Sequence, residues 1–491
     1  MEQRQPQVGA EAAAPPPGGA ATDAAPGRDA PGPAVHGVDV PALVADLGDV
    51  HVDLPGSPGY DHLTLAANVE LVRTPLLVAV PRTAEEVAHV VRVAGEHGVP
   101  VAVQATGHGA SAPLDGALLI STSALDGLTV LPALGTAHVG AGVRWSALVA
   151  SAAPYGLAPV TGSAPGVGVV GYLTGGGHGP LARSFGISSD RVRAFDVVTG
   201  DGVLRRATAT SEPDLFWGLR GGRGALGVVT SVELDLLDQP EIYGGAVVHG
   251  PEHVDEVVEA WAAWAPHTPL EATTSLAVMR LPEMPGIPPF LAGRTTVSVR
   301  FGWTGDPQEG AEVLAPMRAV APPVADSVDV MPYARIGEIH NDPAGRTPFH
   351  DTHVLLEDLG PEAVERFLEL VGADSACVHN VVEVRHLGGA AAQLPAVPDA
   401  VPGRSAPWSL FMVGVAPAHA AGPLHADARR ILAGLEPWTR PQEALPNFTP
   451  GHDRAWAERT YLPHVRTRLG DVSRRYDPAG VLLASHPFRP V

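Results

Sequence analysis

The sequence predicts an α+β fold with more than one subdomain. The chain has 491 residues, which is more than a single hydrophobic core usually supports. Residues 78–237 alternate apolar strand-like runs with short amphipathic helices, and from residue 239 helices and strands are joined by proline-rich connectors. We therefore predict a first domain at 39–238, a second at 239–440 whose antiparallel sheet is backed by helices, and a C-terminal segment at 441–491.

Local signals place the elements of the first region. Residues 1–38, rich in Ala, Pro and Gly, lack a periodic apolar pattern, so we predict a disordered tail. Thr83 and Glu86 form a capping-box pattern that predicts a helix start, and Gly98 predicts its end. The turn Gly-Asp-Gly at 200–202 predicts a hairpin. In chain order the sequence predicts strands at 99–105, 117–121, 135–142, 192–199, 203–207 and 228–236, and helices at 145–150 and after a Ser211 cap.

The second region and the C-terminal segment carry longer elements. Apolar residues recur at helical spacing in some stretches and alternate with polar residues in others. These patterns predict helices at 253–264 and 361–371, strands at 295–301, 381–387 and 408–415, and one C-terminal helix at 456–475. A sheet backed by helices offers an open face for binding a substrate.

Composition excludes several classes of function. The formal net charge of −21 argues against a nucleic-acid partner and against docking on anionic lipid. No apolar run has membrane-spanning length and the N-terminus lacks a signal-peptide pattern, so we predict a cytoplasmic protein, with a monomer as the default. The sequence contains no lysine, which excludes a P-loop lysine, Schiff-base chemistry and a pyridoxal-phosphate linkage.

The sequence predicts no metal site. Cys377 is the single cysteine, so neither an internal disulfide nor a thiolate cluster can form, and we interpret it as a small buried apolar side chain. The 21 histidines are scattered without metal-ligand spacing.

Two glycine-rich segments carry the strongest chemical signal. Residues 161–179 contain many glycines, which leave little side chain for a core but bring backbone N–H groups close to a ligand. Such loops hold phosphates through amide dipoles without a cation. Residues 105–109 set His108 between two glycines at the end of an apolar run. Together the two segments predict a large phosphorylated cofactor with a histidine at its reactive end.

An ordered set of motifs resembles a known family. The motifs stand at residues 80–83, 106–109, 167–171, 175–179, 185–190, 214–222, 226–230, 387–389 and 475–478. In this order they resemble the FAD-linked oxidases of the vanillyl-alcohol oxidase superfamily, in particular the berberine-bridge-enzyme-like branch. The resemblance implies a PCMH-type FAD-binding domain of two subdomains, a substrate domain, and a C-terminal segment that returns to the FAD domain.

The resemblance assigns cofactor contacts residue by residue. It implies that His108 is joined covalently to the flavin and that Asn447 faces the flavin. Many members carry a second link from a cysteine where this chain has Ala164, so we predict a single attachment. His178 is interpreted as packing beside the flavin ring. The implied FAD-binding residues are Gln104, Ala105, Thr106, Gly107, His108, Gly109, Ala110, Ser111, Gly162, Ala164, Pro165, Val167, Gly168, Gly171, Tyr172, Gly175, Gly176, Gly177, His178, Gly179, Val228 and Asn447.

The catalytic base is less clearly marked. Plant members use a glutamate on a strand whose matching position here falls near Leu410, and no carboxylate stands on that strand. Strand alternation instead places Glu383 and Arg385 on one face, where they could orient and deprotonate a hydroxyl. A purely structural ion pair is the alternative. Weaker candidates are Tyr333, Tyr172 and His386.

The resemblance implies an oxidase that removes a hydride from a hydroxylated small molecule and passes the electrons to dioxygen, giving hydrogen peroxide. Val167 resembles the residue found in oxygen-reactive members. Three alternatives stay open: a dehydrogenase of the same fold with another acceptor, a flavin-binding protein without turnover, and a binding protein without flavin. The arginine-only, Ala/Gly/Pro-rich composition indicates a GC-rich bacterial genome, in which such oxidases modify sugars, polyketides or other secondary metabolites.

Overall fold

The computed structural model describes residues 37–343 and 345–489. The predicted disordered tail, 1–38, therefore lies almost entirely outside the described residues. The described chain mixes helices with three larger sheets, one parallel for most of its strands and two antiparallel. This confirms the α+β class, including an antiparallel sheet backed by helices. Residues from Val38 onward pack as one compact unit, so the boundaries at 238 and 440 stay predictions.

A four-stranded sheet begins the fold. Its strand order is His51–Asp53, Leu77–Val80, Leu118–Ser121 and Val101–Gln104; the first pair is antiparallel and the others are parallel. The helix Ala84–Glu96 connects two of the parallel strands, as such a connection requires. Its predicted cap is confirmed, because the Thr83 hydroxyl accepts from the Glu86 N–H. Gly98 follows the helix with φ of +65°.

A five-stranded antiparallel sheet packs next to it through a shared apolar core. The strand order is Leu128–Leu131, Thr136–Gly140, Val228–Asp235, Val192–Val198 and Leu204–Thr208. The last two strands form the hairpin that the Gly-Asp-Gly turn predicts. A short pair joins Leu157–Ala158 to Leu237–Asp238.

A nine-stranded antiparallel sheet forms most of the second half. Its order is Ala325–Asp326, Glu241–His249, Thr295–Trp303, Ala272–Arg280, Val381–His386, Trp408–Val415, Phe349–Leu356 and Thr439–Arg440, and Asp329–Pro332 also pairs with the second of these. One face packs on the helices Val254–Trp264, Pro307–Val320, Pro361–Val371 and Gly422–Leu435. Val382 and Val384 belong to that apolar side, so Glu383 and Arg385 point to the opposite face.

The remaining α-helices are Val40–Asp46, Pro58–Leu63, Trp145–Ala152, Val169–Thr174, Ala182–Phe185, Pro213–Leu219, Arg454–Thr460 and Pro463–Tyr476. Among the described helices, none combines the length and the apolarity that a bilayer crossing requires.

Two element predictions are wrong. The single helix expected at 456–475 is two helices, because Pro463 lacks an N–H for the preceding turn and instead starts the second helix. The helix after Ser211 has Glu212 at its N-cap position, with φ of +52° and no side-chain cap. Pro213 fixes that start, and the Ser211 N–H is bonded to the Thr208 hydroxyl instead.

Candidate active site

The first glycine-rich segment turns sharply after the strand Val101–Gln104. Gly107 has φ of +73°, and a Cβ there would lie 2.6 Å from the Leu65 carbonyl oxygen, so only glycine fits. Its carbonyl accepts from the N–H groups of Ala67, at 3.0 Å, and Ala110, at 3.3 Å. The Gln104 side chain donates to the Leu63 carbonyl at 2.7 Å, which fixes the start of the turn.

The backbone of this turn carries donors that the protein does not use. The N–H groups of residues 106–109 donate no hydrogen bond to any described residue. A run of free amides around a residue with positive φ forms a concave site for an anion. The donor set therefore fits a pyrophosphate, which is the polar centre of a dinucleotide cofactor.

His108 lies in a cleft beside these amides. Its side chain is exposed to solvent, yet removal from bulk water lowers its pKa, against the opposing charge of Asp342. The lowered pKa favours the neutral imidazole. His108 bonds to no described residue, and its exposed side chain is open to a ligand.

The second glycine-rich segment folds back on itself. A Cβ on Gly179 would stand 1.9 Å from the Thr161 carbonyl oxygen, and one on Gly162 would stand 2.8 Å from the Tyr172 ring. Gly176 and Gly177 have φ of +101° and +84°. Several glycines here thus serve close packing of the chain as well as any ligand.

The two segments meet. A Cβ on Gly168 would lie 3.4 Å from the Ala105 and Thr106 side chains. Gly171, by contrast, has open space where its Cβ would point, and its backbone is exposed. Gly168 thus packs against the first loop, whereas the surface at Gly171 leaves room for a ligand along the helix Val169–Thr174.

The C-terminal segment holds both loops in place. The Asn447 carboxamide accepts from the Gly177 N–H at 2.9 Å and donates to the Tyr172 carbonyl at 3.1 Å. A Cβ on Gly175 would touch the same carboxamide at 2.7 Å. Ser111 donates to the Gly451 carbonyl at 2.9 Å. Asn447 thus positions the glycine loop through its backbone.

Arg223 is a positioning residue that the sequence did not single out. Its guanidinium donates to the carbonyls of Gly109, at 2.9 Å, and Thr449, at 3.0 Å. It therefore joins the first loop to the C-terminal segment directly beside His108. It stands just past the end of the motif at 214–222, and only the fold brings it to Gly109.

Glu383 lies at the centre of a buried ion-pair network on the open face of the large sheet. Its two carboxylate oxygens contact Arg300 at 2.6 Å and Arg385 at 2.7 Å, and Ser275 donates to it at 2.7 Å. Burial alone would raise the pKa of Glu383, but Arg385, Arg300 and His340 outweigh burial and hold that pKa well below its ordinary value. This arrangement favours the structural ion-pair alternative over a proton acceptor.

A small cavity lies where the glycine loop meets that face of the sheet. His178 stands on the loop side with both ring nitrogens buried and without a described partner. Burial, together with Arg385, lowers its pKa to about 3, so its imidazole is neutral. The other polar side chains lining the cavity are Thr273, Thr274, Ser275, Arg300, His340, Arg385 and His386.

Two further polar side chains on the open face were missed by the sequence reading. Asp351 and His353 alternate on the strand Phe349–Leu356. Burial raises the pKa of Asp351 to about 6, although Arg223 opposes the shift, and no described side chain donates to its carboxylate. His353 bonds Ser409 at 3.0 Å. The run Phe-His-Asp-Thr-His puts polar side chains on both faces of the strand, so its pattern did not single out the face that bears Asp351.

Asp351 borders a second and larger cavity. This cavity has about 560 Å³, and its wall also includes Asn68, Phe349, His379 and Pro450. The residue preceding Asn68 bonds the Gly107 carbonyl, so the cavity adjoins the first loop. Its volume suits a small organic molecule.

Other predicted site residues are held by contacts within the protein. The Tyr333 hydroxyl donates to the Pro159 carbonyl, and burial raises its pKa further, so it is held in an apolar cluster. Val228 is fully buried and pairs with Val198 in the five-stranded sheet. The turn at Ala164, Pro165 and Val167 is bonded to the start of the helix Trp145–Ala152.

Cys377 is buried, as the sequence predicts. The fold brings it together with His379 and Asp427, whose potential ligand atoms all lie within 4.8 Å of one another. Asp427 already bonds His379 at 2.9 Å and Arg430 at 2.6 Å. A guanidinium in that position opposes a cation.

Comparison with known proteins supports a flavin cofactor. Residues 75–208 match the model described as FAD binding domain. The (R)-6-hydroxynicotine oxidase of Paenarthrobacter nicotinovorans is 27% identical over 445 residues, which is 86% of this chain and 93% of that protein. The chain is similar to FAD-linked oxidoreductases. This confirms FAD as the cofactor and confirms the predicted enzyme class.

Solved structures agree on the fold. BBE-like 1 of Physcomitrella patens superposes with a TM-score of 0.76 at 18% identity, covering 92% of this chain and 100% of that one. The glucooligosaccharide oxidase of Acremonium strictum gives a TM-score of 0.78 at 19% identity, covering 91% and 100%. Alignments with fungal FAD-dependent monooxygenases and oxidoreductases span 37% to 51% of those proteins. The chain therefore has the fold of these berberine-bridge-enzyme-like proteins.

Proposed function

We propose that this FAD-linked oxidoreductase is an oxidase that takes a hydride from a hydroxylated small molecule and passes the electrons to dioxygen. The observation that carries the proposal is the loop with the free amides of 106–109 and the accessible His108, which adjoins the cavity on the polar face of the large sheet that Asp351 borders. When bound, FAD supplies a two-electron acceptor. Residues 106–109 would hold its pyrophosphate through their N–H groups.

His108 is the proposed single attachment point for the flavin. Its imidazole is neutral, which leaves a lone pair available for bond formation. Ala164 carries no thiol, so a second link of the cysteinyl kind cannot form there. The glucooligosaccharide oxidase of Acremonium strictum carries a 6-S-cysteinyl, 8α-N1-histidyl FAD, which supports a histidyl link of the same kind here.

The substrate hydroxyl requires a proton acceptor and an orienting group. Arg385 faces the cavity and suits the orienting role. Glu383 is engaged by two guanidinium groups, and a carboxylate with a strongly lowered pKa is a weak proton acceptor. Burial raises the pKa of Asp351 to about 6, and no described side chain donates to its carboxylate, so we propose Asp351 as the acceptor.

Two similar proteins with named substrates support the proposed substrate class. Paenarthrobacter (R)-6-hydroxynicotine oxidase acts on the compound in its name, and the similar structures include a chitooligosaccharide oxidase. Both support a small hydroxylated substrate. A dehydrogenase with another acceptor is the second candidate function, and Val167 favours the oxidase.

Acid denaturation of the purified protein tests the cofactor assignment. We expect flavin fluorescence to remain on the unfolded chain, on the peptide that contains His108. His108→Ala should release all flavin into the acid supernatant, and His419→Ala, at an exposed position away from the loops, should retain it. Colourless wild-type protein would contradict the flavin assignment, and release from wild type would contradict the covalent link.

Reoxidation in air tests the acceptor. After anaerobic reduction with dithionite, mixing with aerated buffer should restore the oxidised flavin spectrum within seconds and form hydrogen peroxide. A reduced spectrum that persists for minutes would favour the dehydrogenase.

A further inference from the structure

Two buried arginines, Arg300 and Arg385, line the small cavity beside the glycine loop. A third, Arg183, lies next to the cavity wall, where it bonds His386. Arg300 and Arg385 share Glu383. Arg183 pairs with no carboxylate of the described chain; it donates to the carbonyls of Ala272 and Leu387. All three arginines are less than a tenth exposed. Glu383 balances one of the two guanidinium groups at the cavity, so one positive charge remains there without a negative partner, and Arg183 adds another beside it. Such buried charge is costly unless an anion joins it.

The cavity wall is also rich in donors. Arg183 donates to the His386 Nε2 at 3.3 Å, which leaves Nδ1 of that ring as an N–H donor. This Nδ1 is buried and has no described partner. His178 adds a second buried imidazole whose nitrogens are both unpartnered among the described residues. Both rings are neutral, with pKa values lowered to about 3 by burial and by the arginines.

The acceptors that the wall could offer are already engaged. The Ser275 hydroxyl donates to Glu383, and the Thr274 hydroxyl accepts from Trp261 and donates to the Arg300 carbonyl. The wall therefore presents unused N–H groups and net positive charge. A water molecule could satisfy one donor, but it would leave the charge unbalanced.

We propose that this cavity is an anion subsite that binds a monovalent anionic group, either a free small anion or the carboxylate of the substrate. The anion would accept from Arg300, from Arg385 and from the buried imidazoles. The free space inside the cavity is small, so the ligand must be as compact as a halide or a single carboxylate group. Binding of a substrate carboxylate rests on the proposed function, which places the substrate between the glycine loop and the strand of Arg385.

Bromide locates the site without reference to flavin. Crystals of the purified protein soaked in sodium bromide should show an anomalous peak between Arg300 and His178. In solution, sodium formate should raise the melting temperature relative to sodium gluconate at equal ionic strength, because gluconate is too bulky for the cavity. A water-filled cavity with bromide only at surface arginines, or equal melting temperatures in the two salts, would overturn the proposal.

Variants assign the effect to the cavity. Arg300→Met should weaken formate affinity by about tenfold or more, measured by the salt-dependent shift of each variant against its own gluconate baseline. Arg318→Met is the matched control, since Arg318 lies on the helix Pro307–Val320 and is ion-paired with Asp326 at the edge of the sheet, and its formate response should equal that of wild type. An unchanged formate response in Arg300→Met would contradict the assignment to this cavity.

Glycolate and lactate separate the two sources. If either 2-hydroxy acid displaces bromide and bleaches the flavin absorbance anaerobically, the subsite binds the substrate carboxylate. If both acids leave the flavin oxidised while bromide and formate bind, the subsite takes a free anion. If the purified protein binds no flavin, the proposed function is wrong. The bromide peak would still test the anion subsite, because it does not depend on flavin.

Discussion

Two carboxylates on one sheet face differ in their readiness to accept a proton. Glu383 contacts two arginines and a serine within hydrogen-bond distance. Asp351 has no described side-chain donor, and burial raises its pKa to about 6. The strand register decides this difference, because it sets Ser275 opposite Arg385 and leaves Asp351 opposite the apolar Val413. The neighbours of a carboxylate therefore decide whether it can accept a proton.

Asp351→Asn should slow flavin reduction by any turned-over substrate about 10²–10⁴-fold. In wild type the reduction rate should fall as the pH drops below about 6, because protonation of Asp351 removes the proton acceptor. The rate of the variant should not show this fall. Stopped-flow reduction between pH 5 and 8 measures both. The exposed Asp329→Asn is the control. A variant with wild-type rates and the same fall at low pH would exclude Asp351 as the acceptor.

The glycine-rich segment at 161–179 works as a folded element more than as a flexible loop. Its glycines approach backbone and ring atoms at distances that no Cβ tolerates, and Asn447 fixes two of its backbone groups. A rigid loop keeps His178 at the cavity and keeps the open surface at Gly171 free. The spacing of glycines in this segment is therefore set by packing as well as by ligand contact.

Gly179→Ala should destabilise the protein by about 1–3 kcal/mol, because its Cβ would meet the Thr161 carbonyl and backbone must move. Urea unfolding measures the loss, and flavin content should fall with it. Gly422→Ala is the matched control: no atom lies near its Cβ position, and it begins a helix, so stability should stay equal or rise by under about 1 kcal/mol. Equal unfolding midpoints for the two variants would contradict the packing argument.

At the scale of the whole molecule, buried arginines join distant parts of the chain. Arg404 bonds both Asp190 and Asp399, and Arg220 donates to the carbonyls of Val397 and Pro398. A guanidinium has five N–H donors in a planar fork, so one side chain can tie several carbonyls together. Because the chain has no lysine, every such long-range contact from a side-chain cation other than histidine is made by arginine.

The network around Glu383 should contribute to stability in a pH-dependent way. Its pKa is lowered in the folded state from an ordinary value of 4.5, so the stabilisation is present above pH 4.5 and is lost as the pH falls through the folded pKa. Glu383→Gln leaves Arg300 and Arg385 unpaired and should cost about 3–5 kcal/mol at pH 7.

Thermal unfolding from pH 3 to 8 checks this expectation. The gap between Glu383→Gln and wild type should be widest near neutrality and should narrow below pH 4.5. Glu338→Gln, in an exposed pair with Arg335, should unfold like wild type throughout. A gap that is constant across the pH range would show that the variant acts through packing and not through charge.

The sequence by itself determined the elements and the cofactor loops. Caps, turns and alternation act between neighbours in the chain, so Thr83, the hairpin at 200–202 and the strand Trp408–Val415 were predicted correctly. His108 was likewise marked by its two flanking glycines. Pro463 was a local signal of the same kind, and the sequence reading overlooked it.

Only the tertiary structure decided which polar groups meet. Arg300 and Glu383 are 83 residues apart, and Arg183 and His386 are 203 apart. Their pairing depends on strand order and on a register in which a shift of one residue would turn each side chain to the opposite face. The charge of the cavity, the role of Asp351 and the position of Arg223 beside Gly109 follow from that register, which no local pattern in the chain encodes.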